Sequence, residues 1–151
     1  MNLEFSIWKT NREIYLDLLN KLSIEQLNHI PNGFKNNIIW NIGHIIVAQQ
    51  GLVYRLSNCP MYISKELYSK FKNGSQPNGI VTKDEVDELK LLLMDLIEKT
   101  IGDYNSDIFK EFHPYQTQTG FMLSSFEQTI QFNNYHEGLH LGVILSLKKF
   151  V

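Results

Sequence analysis

Apolar residues recur at three- and four-residue steps in four separate stretches of this chain, the mark of helices with one buried face. In the first, residues 4–22, Ile7, Trp8, Ile14, Tyr15, Leu18, Leu19 and Leu22 form the stripe. Residues 23–35 hold Pro31 and Gly33 and read as a connector with at most one short turn. Asn36 or Asn37 then caps a second helix reaching about Ser57. Its only charged residue is Arg55, and Ile38, Ile39, Trp40, Ile42, Ile45, Ile46 and Val47 make it apolar nearly all round, so it belongs in the middle of a bundle. Residues 58–81 are irregular apart from a short helix over 64–71, and Cys59-Pro60 stops the element before them. Thr82 with Glu85 forms a capping box that opens a third helix to about Ile101, with Val86, Leu89, Leu92, Leu93, Leu96 and Ile97 inward. Residues 102–123 are irregular again, and Ser124 or Ser125 caps a last helix running almost to the terminus. The expected fold is an all-α four-helix bundle, one domain over 1–151, with two long crossover connections and no strand.

Composition narrows the function. With 151 residues, 43% hydrophobic and 12% aromatic, the chain can build a real core, and disorder is excluded. Fourteen basic residues against sixteen acidic ones give a net charge of -2, and no basic run exceeds Lys148-Lys149, so no nucleic-acid surface is expected. No apolar stretch approaches the roughly 20 residues that span a bilayer. Met1-Asn2-Leu3-Glu4-Phe5 has no basic-then-apolar pattern, so no leader is expected, and the lone Cys59 fits a reducing cytoplasm.

The chemistry lies in the histidines. His136 and His140 stand four residues apart on the last helix, about 40° apart around its axis, so both imidazoles leave one face a turn apart. On a helical wheel Thr129, Phe132, Val143, Leu147 and Phe150 lie within about 60° of them, which predicts the pair at the centre of the buried stripe. Two buried imidazoles need partners, and a metal ion satisfies a nitrogen of each. His44, in the apolar second helix beside Trp40, Ala48 and Gly51, is the best third donor; His29 and His113 adjoin prolines or loops. Three neutral imidazoles leave coordination positions open, as in catalytic zinc sites, and also suit nickel, iron or copper. The competing reading is core histidines satisfied by neighbouring carbonyls or hydroxyls.

His136-Glu137-Gly138-Leu139-His140 also matches the H-E-x-x-H signature of zinc proteases. The context does not: none of the eleven residues after His140 is His, Asp or Glu, and Val143 and Ser146 stand where the extended signature needs Gly and His. Glu137 remains a candidate general base, although its direction, about 100° from His136, reads more simply as the solvated flank of the helix.

The blocks Trp40-Asn41-Ile42-Gly43-His44 and His136-Glu137-Gly138-Leu139-His140-Leu141-Gly142-Val143-Ile144 resemble the DinB-like superfamily of bacterial metal-binding four-helix proteins. That resemblance implies a three-histidine site for zinc or nickel, filled position for position by His44, His136 and His140. It also implies, for some members, thiol-S-transferase activity with low-molecular-weight thiols; others are isomerases or hydrolases, and homodimers are common. The combined expectation is a divalent metal (Zn2+ or Ni2+) activating a thiol or water toward a small-molecule substrate. Tyr115, His113, Arg55, Asn133 and Glu137 are candidate pocket or catalytic groups. The alternatives are a non-catalytic metal- or small-ligand-binding bundle and a structural dimer module. A stripe of Ile130, Leu141 and Leu145 on the last helix, away from the histidines, is the expected homodimer surface.

Overall fold

The structure is a computed structural model that describes residues 3–151. Met1 and Asn2, where the reading of a missing leader begins, lie outside them. Helix α1 (Leu3–Lys21) turns Phe5, Trp8, Arg12, Tyr15, Leu18 and Leu19 inward. This phase differs from the expected one: Ile7 and Ile14 are 46% and 40% exposed, and Arg12 takes the middle of the buried face. A single helical turn, α2 (Ile24–Asn28), follows, opened by a capping box between Ser23 and Gln26. Helix α3 (Ile38–Gln50) is capped by Asn37, whose side-chain oxygen accepts from the Trp40 amide at 2.9 Å, and nearly every residue in it is buried. The expected α-helix to residue 57 instead widens into a π-helical turn over Gly51–Arg55, and Asn58, at φ 54°, reverses the chain before Pro60.

Helix α4 (Lys65–Phe71) is capped by Ser64, and α5 (Lys83–Asn105) begins at the Thr82–Glu85 capping box, ending four residues beyond the expected Ile101. The following stretch is not wholly irregular. Strand β1 (Tyr115–Gln116) pairs antiparallel with β2 (Met122–Leu123), Tyr115 opposite Leu123, through a turn in which Gly120 adopts φ 93°. Strands of two residues are too short to carry an alternation that a sequence could display. Helix α6 (Phe126–Leu147), capped by Ser125, ends in a 3-10 turn.

The chain is thus mostly helical. Helix α1 packs on α5 and α6, and α3 packs on the same two, so the four long helices share one interior. The larger apolar cluster centres on Ile38, Ile42, Ile45, Ile46, Leu89 and Leu93; a second gathers Phe5, Trp8, Val53, Ile97 and Phe126. No described helix is long and apolar enough to cross a membrane.

Arg12 ties these helices together. Its guanidinium donates to the Glu137 carboxylate on α6 at 2.8–3.1 Å, and to the backbone carbonyls of Leu93 on α5 and Ile45 on α3, both at 3.4 Å. Trp8 Nε1 and Asn133 Nδ2 also donate to Glu137, at 2.8 and 2.9 Å, and the Tyr15 hydroxyl donates to its backbone carbonyl. Both charged side chains are wholly buried. The solvated-flank reading of Glu137 is therefore corrected: Glu137 points to the centre of the molecule because a buried carboxylate is tolerable only when paired and hydrogen-bonded.

This pairing sets the rotation of α6. Its inward line is Phe126, Thr129, Ile130, Asn133, Glu137, Ile144 and Leu147, while Val143 and Phe150 are exposed. His136 and His140 lie on the margin of that line rather than at its centre. The same rotation breaks up the expected dimer stripe: Ile130 is 3% exposed within the chain, whereas Leu145 is 50% exposed.

Candidate metal centre

His44 comes from α3, and His136 and His140 come from adjacent turns of α6. One ring nitrogen from each lies within 4.8 Å of the others. The Nε2 atoms of His136 and His140 are 3.2 Å apart. At that separation two lone pairs repel, so a proton or a cation must lie between them. Two nitrogens bound to one tetrahedral ion at about 2.0–2.1 Å stand about 3.3 Å apart, so the pair fits a single ion.

The partners of the far nitrogens decide which nitrogens could take a metal. His44 Nδ1 lies 2.8 Å from the Phe71 carbonyl, an acceptor, so it carries the proton and leaves Nε2 with a lone pair. His140 Nδ1 lies 2.8 Å from Asn41 Oδ1. The amide orientation of Asn41 is fixed, since its Nδ2 donates to the Asn37 carbonyl at 2.7 Å and to Asn36 Oδ1 at 3.2 Å. His140 must therefore donate from Nδ1 and also present Nε2. Such outer hydrogen bonds orient metal-binding imidazoles and raise their basicity. His136 Nδ1 is buried with no hydrogen-bond partner among the described residues; its ring is held instead by stacking on Phe132, with centroids 6.0 Å apart.

Local sequence prepares these contacts. Gly43 lets the Phe71 ring lie against α3: a Cβ there would come within 2.5–2.7 Å of the ring carbons. That approach brings the Phe71 carbonyl to His44. Trp40, one turn before His44, stacks on its imidazole at 4.9 Å and 8°.

Burial makes all three imidazoles poor bases. Desolvation lowers the His44 pKa, partly opposed by the hydrogen bond to Phe71. It brings His136 down to about 4, helped by His44, and His140 down to about 3, helped by the other two rings. They are neutral at pH 7, the form a metal requires.

The histidines open onto a cleft of about 320 Å³. Trp40, Val47, Ala48, Leu52, Leu56 and Phe132 give it apolar walls, and Tyr115 and Arg55 also line it, where the sequence expectation put them. The Arg55 guanidinium lies over the Tyr68 ring, 5.7 Å from the centroid. Three other candidates are not on this cleft. Glu137 and Asn133 are buried behind α6 in the Arg12 network, and His113 is exposed elsewhere. The sequence reading missed Asn41, Phe71 and Lys72. Asn41 carries a signal, a polar side chain three residues before His44 in an otherwise apolar helix; a backbone carbonyl and an exposed lysine carry none.

The donor set, three neutral imidazole nitrogens beside an open cleft, is compatible with a divalent metal. A family model described as the DinB superfamily matches residues 7–144. No curated protein matches the chain.

Proposed function

The chain belongs to the DinB superfamily, and on that premise we propose that it is a divalent-metal-binding four-helix-bundle protein of the cytoplasm whose His44, His136 and His140 hold zinc or nickel. We further propose that it is a metal-dependent transferase or hydrolase acting on a small molecule, with a low-molecular-weight thiol or water as the nucleophile. The observation that carries the reading is the pairing of His44 and His140 through Nδ1 with fixed acceptors, which leaves both Nε2 lone pairs available in a cluster where His140 Nε2 lies 3.2 Å from His136 Nε2. A divalent ion held there would supply Lewis-acid chemistry that favours deprotonation of a thiol or water.

The chain's own residues do the rest. Phe71 and Asn41 hold the imidazole tautomers, and Trp40 and Phe132 exclude water from one side of each ring. Tyr115 lies on the cleft with a hydroxyl able to contact a substrate. The cleft is also what favours an enzyme over a purely structural site, since a structural site is closed by a fourth protein ligand. A homodimer remains part of the proposal, through the exposed line Tyr135, Leu139 and Val143 of α6, since Ile130 of the expected stripe is buried within the chain.

The test is elemental analysis of the native protein together with turnover of electrophile-plus-thiol pairs, for wild type and His44→Gln. The reading expects about one zinc or nickel per chain, and for the variant unchanged far-UV circular dichroism with metal and turnover both lost. Near wild-type turnover by metal-free His44→Gln would refute it, and metal binding without turnover of any pair would favour a binding protein.

A further inference from the structure

Among the described residues, the side chains that line the cleft include two cations, Arg55 and Lys72, and no acid, in a chain whose net charge is -2. Neither cation forms an ion pair among the described residues, whereas Lys70, two positions before Lys72, pairs with Glu85. Both belong to one wall. Arg55 lies over Tyr68, and the Lys72 amide donates to the Tyr68 carbonyl at 2.9 Å at the end of α4. A guanidinium resting on a ring face keeps its in-plane donors free for a carboxylate or phosphate.

The floor between that wall and the histidines is low. His44, Ala48, Gly51 and Arg55 follow one another at steps of four, three and four along α3 and its π-helical turn, and so share a face. Gly51 leaves room beneath Tyr68, whose hydroxyl would stand 3.5 Å from a Cβ at that position. Eleven residues of helix separate His44 from Arg55 by at most about 16 Å, and the arginine's lean toward the helix N-terminus shortens the gap. The volume, about 320 Å³, lies within the range of small-molecule sites.

The geometry points to a small organic anion as the occupant of this cleft, with its carboxylate or phosphate on Arg55 and Lys72, its apolar body over Ala48 and Gly51, and its opposite end at the three histidines. The inference rests on the metal-site reading only for which end of the molecule reacts. Two unpaired cations at one end of an apolar trough give orientation as well as affinity, because a neutral molecule of the same shape would leave both without a partner.

The experiment titrates the native protein, before and after chelation, with 3-phenylpropionate, phenyl phosphate and the neutral 3-phenylpropanol, following amide shifts by NMR. At least one of the anions should bind about tenfold tighter than the alcohol, with shifts at Arg55, Tyr68 and Lys72, and the stronger of the two identifies the preferred head group. Arg55→Gln, and separately Lys72→Gln, should weaken that anion several-fold, leave the alcohol unchanged and leave metal content unchanged. Both residues are exposed, so both variants should fold. Equal binding of acid and alcohol, or an anion lost on chelation but indifferent to both substitutions, would overturn the inference. Protein that proves metal-free yet still selects the anion through Arg55 would sustain it while the metal reading failed on its own.

Discussion

Asn41 Oδ1 accepts the Nδ1 proton of His140 across the α3–α6 interface at 2.8 Å, so a residue outside the histidine cluster decides which nitrogen of His140 faces its two partners. Removing it leaves a buried N–H without an acceptor and frees the ring to rotate or change tautomer. Asn41→Ala should weaken metal binding about 10- to 100-fold, read by competition with a chromophoric chelator. An affinity equal to wild type would show that the contact does not orient the ring.

The Arg12–Glu137 pair gives a stability prediction. Taking away one member leaves the other charge buried and unpaired, so Glu137→Ala or Arg12→Ala should each cost about 3–5 kcal/mol in denaturant unfolding. The double variant Arg12→Ala, Glu137→Ala should lose much less than the sum of the two, because no charge is stranded. Additive losses in that cycle would mean that the two side chains stabilise the helices independently.

A ligand that binds only the folded state raises its stability by mass action. Chelation should therefore lower the melting temperature of the wild type by several degrees and leave His140→Ala where it was. Equal shifts for both proteins would remove the metal from the account of α6.

Acid should destabilise the metal-free protein in a defined window. Unfolded histidines take up protons near 6.5, whereas His136 and His140 resist until about 4 and about 3. Between those values the unfolded chain binds more protons, so stability is flat above about pH 6.5 and falls as pH drops toward 4. Urea midpoints at pH 7.5, 6 and 5 should decline in the wild type and decline less in His140→Gln. A pH-independent midpoint would count against buried neutral imidazoles.

The starts of the long helices were legible in the chain itself. Thr82 accepts from a backbone amide as the capping box requires, and of the paired candidates it is Asn37 and Ser125 that do so, because capping is a local bargain between neighbouring residues. The histidine spacing was legible for the same reason, since one turn of helix puts residues four apart on one side. Rotation of a helix about its own axis is not local. Period 3.6 places Glu137 about 100° from His136 but cannot say which of the two faces the interior. Only the packed structure decides, because the carboxylate of Glu137 finds its counter-charge in Arg12, more than a hundred residues away, along with Trp8 and Asn133. That choice swings His136 and His140 from the core to its margin, onto a cleft whose floor and far wall come from α3 and α4.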